Sequence, residues 1–316
     1  MPQWWMLPLV LVAACGGEED EPVALSIVSP EPGTQLARTV LDEVGALVAA
    51  VDVGVEVSGR PARIALALGD TEVGEIVDGH LVTTLPALGP ATLTATALDD
   101  SGAPLATATV DVVVVDPELA DCHAWLDLYG VGYDVGPTRA GVKDPVTASM
   151  PINGIAYRVS GAARQTMFGD CSLIKSLAQA ASHWRRRQIV EVTDLGVYNY
   201  RCKNNNGTPP NCPTGLSEHS FGNAIDLNAF KAADGTTYSV TTDWVIDPDA
   251  QKTCMADTVE GKDRFLHEMI CELKAAGVWT IVLTPNYNAL HRDHFHVDLT
   301  ANADTINRTD PSLHEH

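Results

Sequence analysis

From Ala24 to Asp116 the apolar positions fall in short runs: ALSIVS, VDVGVEVSG, RIALALG, HLVTTLP, ATLTATALDD and ATATVDVVVV. Several alternate apolar with polar at period two, and Asp, Gly and Pro break them at intervals of about ten residues, the spacing of short antiparallel strands. This pattern predicts a small all-β immunoglobulin-like sandwich. His80 is the segment's lone histidine and is expected in a turn. Beyond Pro117-Glu118 the period changes. A short helix is predicted over 120–129, a strand over 150–159, and an amphipathic helix over 171–188 with Leu173, Ile174, Leu177, Ala178 and Ala181 on one face. Strands follow at 189–200, 224–230, 279–283 and 295–299, with an Asn-, Pro- and Gly-rich loop at 201–217 and a turn at Asp234-Gly235. A helix over 260–276 ends at Gly277, a residue suited to the C′ position. Helices mixed with strands and long loops predict an α+β domain, an antiparallel sheet with flanking helices.

At 316 residues the chain exceeds the usual size of one core. The expected organisation is a leader over 1–15, an acidic tether over 16–22, the sandwich over 23–117, the α+β domain over 118–301 and a flexible tail over 302–316. Charge supports the division. The net charge is −21, and between Gly16 and Pro117 seventeen acids face only Arg38, Arg60 and Arg63. So acidic a chain would be repelled by phosphates, which argues against nucleic acid or an anionic lipid surface as partner.

The first fifteen residues, MPQWWMLPLVLVAAC, hold an apolar run far short of the ~20 residues that span a bilayer, but long enough for a signal-peptide core. Small residues directly before Cys15 resemble the lipobox of bacterial lipoproteins. That resemblance implies a lipidated Cys15 as the new N-terminus and export to the cell envelope. Gly16 after it, in place of Asp, favours the outer membrane. Setting Cys15 aside leaves six cysteines, an even number that suggests disulfides in an exported chain. Sequence proximity pairs Cys202 with Cys212, Cys254 with Cys271 and Cys122 with Cys171.

Two segments carry chemistry: SEHSFGNAID over 217–226 and HRDHFHVD over 291–298. Catalytic zinc usually takes three His or carboxylate ligands and leaves a fourth position open. His219 and Asp226 converge if the loop bearing the first folds back on the strand bearing the second, and Gly222 permits a sharp turn between them. His294 and His296, two apart on a strand, project to one face. One of them can bind metal while its neighbour stays free beside it. Asp298 shares that face and reads as a strand-end cap or pair. His267 reads as packing or solvent, and His123 as the start of a helix.

The first segment resembles the (S/T)-x-H-x-x-G-x-A-x-D motif of the zinc peptidase group that unites lysostaphin-type enzymes, D-Ala-D-Ala metallopeptidases and the Hedgehog domain, and the second resembles its H-x-H element. More closely, YNYRCKNN, SEHSFGNAIDL and VLTPNYNALHRDHFHVDL, with CHAWLDLYGVGYD and DPVTASMPING before them, resemble the bacterial extensin-like C-terminal domain family over about 122–299. The resemblance implies Zn2+ held by His219, Asp226 and His296. It implies a general base at His294 or at Asp293, the latter standing where some members place a Glu. His291 matches a further histidine of the murein endopeptidases, and Arg201 an arginine that approaches substrate. The implied function is zinc-dependent hydrolysis of amide bonds in peptidoglycan peptides, of D,D-carboxypeptidase or endopeptidase type. The alternative is a non-catalytic, zinc-containing cell-wall-binding or adhesion lipoprotein.

Overall fold

The computed structural model describes residues 22–246, 253–254 and 258–307. Cys15, the leader over 1–15, nearly all of the acidic tether and the end of the tail lie outside the described residues. The described chain is mostly β-sheet with few helices, and it divides into two compact units, one of residues 1–36 and 50–115, the other of 37–49 and 116–316.

The first unit is built from two sheets. In one, Leu47–Ser58 pairs with Ala24–Ser29 and with His80–Leu85; in the other, the order is Gln35–Ala37, Pro104–Val115, Gly89–Leu98, Arg63–Leu68, Thr71–Glu75. The period-two pattern is the cause. Val51, Val53 and Val55 of the first sheet are buried, as are Leu66, Leu93, Ala95, Val110 and Val112 of the second, while Asp52 and Asp111 between them face water. His80 begins a strand rather than sitting in the turn. The turn is Asp78-Gly79 before it, both at positive φ, and the His80 Nδ1 lies 3.3 Å from Asp52.

In the second unit the strands run Ala162–Ala163, Ala156–Val159, Ile189–Gly196, Ala224–Ala232, Phe295–Asp298, Ile281–Leu283, Thr305–Ile306, and Thr237–Ser239 also pairs with Ala224–Ala232. This sheet is mixed where a wholly antiparallel one was expected. Ala156–Val159 runs parallel to Ile189–Gly196, and Ile281–Leu283 parallel to Thr305–Ile306. Parallel neighbours need a crossover, and helix Cys171–Arg186 supplies the first. A separate three-stranded sheet, Tyr133–Val135, Pro145–Ser149 and Thr166–Asp170, was not legible in the pattern. The predicted strand over 150–159 begins only at Ala156, because Asn153 and Gly154 at positive φ make a tight turn closed by Ile152 and Ile155.

Helix Cys171–Arg186 starts where Asp170 caps it, accepting from Ser172 N at 3.1 Å. Its apolar stripe, Leu173, Ile174, Leu177, Ala178, Ala181 and Trp184, is wholly buried. Trp184 is central: its ring centroid lies 5.8 Å from Phe230 and 6.2 Å from Trp279. Helix Lys262–Ala275 ends as expected, with Gly277 at φ +69°. All three cysteine pairings expected from proximity are present: Cys122–Cys171, Cys202–Cys212 and Cys254–Cys271. His267 is buried, stacked on Trp244 with centroids 3.7 Å apart, and so belongs to the packing.

Trp184→Ala is expected to lower the stability of this unit by about 3–5 kcal/mol, the cost of an emptied aromatic site. The measurement is a urea titration followed by tryptophan fluorescence, since Trp125, Trp244 and Trp279 all lie in the same unit. An unmoved midpoint would show that the ring is not at the centre of this core.

Candidate metal centre

Strand Ala224–Ala232 pairs antiparallel with Phe295–Asp298 in a register that sets Asp226 opposite His296 and Ala224 opposite Asp298. Directly opposite residues send their side chains to the same face, so Asp226 and His296 meet without any loop. Their atoms Oδ1 and Nδ1 are 2.9 Å apart.

The third member comes from a short 3-10 turn, Glu218–Phe221, that ends on Gly222 in the left-handed region, φ +64°. A Cβ there would lie 2.9 Å from the backbone N of Asp170, so both conformation and space require glycine. The Gly222 carbonyl accepts from that same N–H at 2.9 Å, tying the turn to the head of helix Cys171–Arg186. On its other side the turn is laced to residues 197–201. Asn199 N donates to His219 O at 3.1 Å, and the buried Ser220 hydroxyl accepts from Arg201 N at 2.9 Å while lying 2.8 Å from Arg201 O. The Cys202–Cys212 bridge closes the loop that follows.

Held in this way, His219 donates its Nδ1–H to the Val197 carbonyl at 2.6 Å and turns Nε2 inward, 3.2 Å from Asp226 Oδ1 and 3.3 Å from His296 Nδ1. The ligand-capable atoms of His219, Asp226 and His296 all lie within 4.8 Å of one another. On the far edge of its ring, His296 Nε2 donates to Asp298 Oδ2 at 3.0 Å. Asp298 caps the strand end, accepting from Thr300 N at 2.9 Å, and pairs with His296 as well. It is buried and orients the ring whose other nitrogen joins the triad.

Electrostatics at the triad call for positive charge. Burial pushes the Asp226 carboxyl up, but hydrogen bonds from His219 and His296 outweigh it and hold the group far below the usual carboxylate range. Burial pushes His296 down, yet its hydrogen bonds to Asp226 and Asp298 carry it up to about 9. Two imidazole nitrogens and one ionised carboxylate oxygen aimed at a common point, each ring fixed from behind by a carbonyl or carboxylate, are a donor set that fits zinc.

The other sequence-predicted residues gather around this point. His294, one residue before its strand, donates Nδ1–H to Asp293 Oδ1 at 2.7 Å and holds Nε2 3.5 Å from Asp226 Oδ1. The Asp293 carbonyl accepts from Asn228 Nδ2 at 2.6 Å, which fastens the base of this pair to the central strand. His291 packs against both neighbours, its centroid 5.2 Å from His294 and 5.8 Å from His296. Burial, then the nearby His296 and His294, push it down to about 3, so His291 is neutral near pH 7. Its Nδ1 lies 2.7 Å from Asn288 Oδ1. Arg201 sits in the segment laced to the His219 turn, and its guanidinium makes no hydrogen bond or ion pair among the described residues. Cys122, Asp144 and Cys171 also approach one another, but the two sulfurs are joined to each other, which removes them as thiolate ligands.

Sequence reasoning missed Val197, which acts through its carbonyl, and Ser220 and Asn228, whose side chains meet backbone groups distant in sequence. Asp298 was already placed on the His296 face by period two, and the structure adds that its carboxylate backs that ring.

The sequence pattern of the family described as "Extensin-like protein C-terminus" matches residues 139–307. That is more than half of the 316 residues, and all of the site residues named above fall within it. The chain belongs to this family. No curated protein sequence matches it. Among solved structures, a set of fibronectin(III)-like modules of Clostridium thermocellum CbhA is similar at 11% identity and TM-score 0.24, covering 30% of this chain and 100% of that one. A structure described as giving insight into host cell surface retention of a 1.5-MDa bacterial ice-binding adhesin is similar at 11% identity and TM-score 0.21, covering 67% of this chain and 60% of that one. At these TM-scores neither likeness bears on fold or function.

Because Asp298 fixes the His296 ring, Asp298→Asn is expected to weaken zinc binding about 10–100-fold, the usual effect of losing such a partner. Competition against a chromophoric chelator measures it. Unchanged affinity would show that Asp298 has no part in the centre.

Proposed function

We propose that the protein is a zinc-dependent hydrolase of the lysostaphin and D-Ala-D-Ala metallopeptidase group, cleaving amide bonds around D-alanine in peptidoglycan peptides. The observation that carries the reading is the convergence of His219, Asp226 and His296 with an oriented, uncoordinated imidazole, His294, beside them. A pure binder needs the three ligands but has no use for that fourth ring.

Zinc in this seat supplies Lewis acidity to the scissile carbonyl and to water. The remaining work falls to the chain. Asp293 accepts the Nδ1–H of His294, which fixes the tautomer and leaves Nε2 as the proton acceptor on the triad side. The same nitrogen then returns the proton to the leaving amine. Of the two base candidates, His294 takes the proton and Asp293 positions it. The Arg201 guanidinium, without a partner among the described residues, is available to pair with a carboxylate or a developing oxyanion. The lipobox-like Cys15 would hold the enzyme at the outer membrane, next to its polymer, with residues 23–117 as a spacer.

Purified chain loaded with zinc and incubated with muropeptides is expected to release D-alanine or to split cross-linked dimers, read by mass spectrometry. Absence of any zinc-dependent product across several cross-link types contradicts the reading. His294→Ala is expected to slow turnover about 10²–10⁴-fold, the range for a general base, with zinc content unchanged. A variant that keeps both zinc and full turnover would remove His294 from the mechanism.

A further inference from the structure

Next to the His219 turn stands a group that the mechanism above does not use. Arg139 is exposed, and its guanidinium carbon lies 4.7 Å from the centroid of Phe168 and 5.4 Å from that of Tyr198. The two rings meet edge to face, 5.4 Å apart at 86°. The Tyr198 hydroxyl donates to the Ala140 carbonyl at 3.0 Å, one residue along from Arg139, so the ring and the chain that bears the guanidinium are held together. A guanidinium carbon seated over two aromatic rings is attracted to both while its N–H edges stay free to donate.

Those edges meet nothing: among the described residues Arg139 has neither an ion pair nor a side-chain hydrogen bond. The contrast with other arginines is informative. Arg38, Arg63, Arg164 and Arg187 are each paired with a carboxylate, in a chain that holds 41 acids against 20 Lys and Arg. With carboxylates so abundant, an arginine that is rigidly supported and still unpaired is set up for an anion from outside the chain.

Its position ties it to the metal centre. Tyr198 directly follows Val197, the residue whose carbonyl accepts the hydrogen bond from His219 Nδ1–H. Phe168 directly precedes Gly169, where an added Cβ would lie 3.3 Å from Gly222 O and 3.5 Å from Val197. Gly141, two residues after Arg139, lies so close to the His219 turn that a Cβ there would be 2.3 Å from Ser220 O. The residues that bear both rings are thus next in sequence, and the one that bears the guanidinium is two residues away in sequence, from residues that contact the turn holding His219.

We propose that Arg139, on its shelf of Phe168 and Tyr198, is a carboxylate-recognition subsite that selects wall peptides bearing a free carboxylate over their amidated forms. The inference rests on the reading that the centre faces peptidoglycan peptides, and it is separate from the role of Arg201. An arginine held against these rings can grip a carboxylate through two parallel N–H bonds, whereas a carboxamide offers one acceptor and no charge.

The test uses two synthetic stem peptides that differ only in one side-chain group, a carboxylate or its carboxamide. They are titrated calorimetrically into zinc-loaded full-length chain carrying His294→Ala, so that nothing is cut. The acid is expected to bind about tenfold more tightly than the amide, the scale of one charge-assisted hydrogen-bonded contact. Arg139→Gln should bring that ratio to about one while leaving zinc content and amide affinity unchanged. Arg139→Lys should keep part of the preference. Phe168→Leu should weaken it by freeing the guanidinium. A purely structural role for Arg139 would leave the ratio untouched. Equal binding of acid and amide by the parent chain, or a full preference retained in Arg139→Gln, overturns the proposal. Selective binding of the acid without cleavage by the chain bearing His294 upholds the subsite and counts only against the hydrolase reading.

Discussion

Everything at this centre hangs on the pairing of Asp226 with His296 across two antiparallel strands. Register in a sheet is all or nothing, because a slip of one residue sends every side chain to the opposite face. The core enforces this register. Leu227 and Phe295, opposite one another and one step from the pair, are fully buried, as are Ile225 and Val297 on its other side. A slip that moved Asp226 away from His296 would also drag these residues out of their packing. The sheet thus places two metal-capable atoms by the same contacts that make it stable, and only His219 has to be delivered by a loop.

That delivery explains the density of polar fastenings around residues 217–222. Gly222 supplies the left-handed turn, Asp170 and Asn199 bind its backbone, and the Ser220 hydroxyl bridges to Arg201. Each ring in the triad is then gripped from behind, His219 by the Val197 carbonyl and His296 by Asp298. The result is an ionised carboxylate that faces two ring nitrogens, an arrangement that favours a cation at its focus. His294 stands beside the triad with Asp293 behind it, repeating the backing that Asp298 gives to His296.

Much of this was legible in the sequence, for identifiable reasons. His219, Asp226 and His296 stand at spacings set by one turn and one cross-strand pair, which leave a local signature. The three disulfides join cysteines close in sequence or linked by adjacent elements, so proximity was a fair guide. The stripe of helix Cys171–Arg186 was plain from its period. What stayed hidden depends on long-range geometry. The parallel pairing of Ala156–Val159 with Ile189–Gly196 is decided by a crossover. The short strands Tyr133–Val135 and Pro145–Ser149 are too brief for a period to register. Asp298 caps its strand end as expected, but that its second carboxylate oxygen backs the His296 ring depends on a ring orientation that only the register determines.

The central claim is that His219, Asp226 and His296 form one metal seat, and metal analysis of the purified wild-type chain beside His219→Ala tests it most directly. The wild type should carry one zinc per chain, and the variant should carry none while keeping its disulfides and its tryptophan-monitored unfolding transition. Equal zinc content in the two, or none in a wild type exposed to zinc, would contradict it.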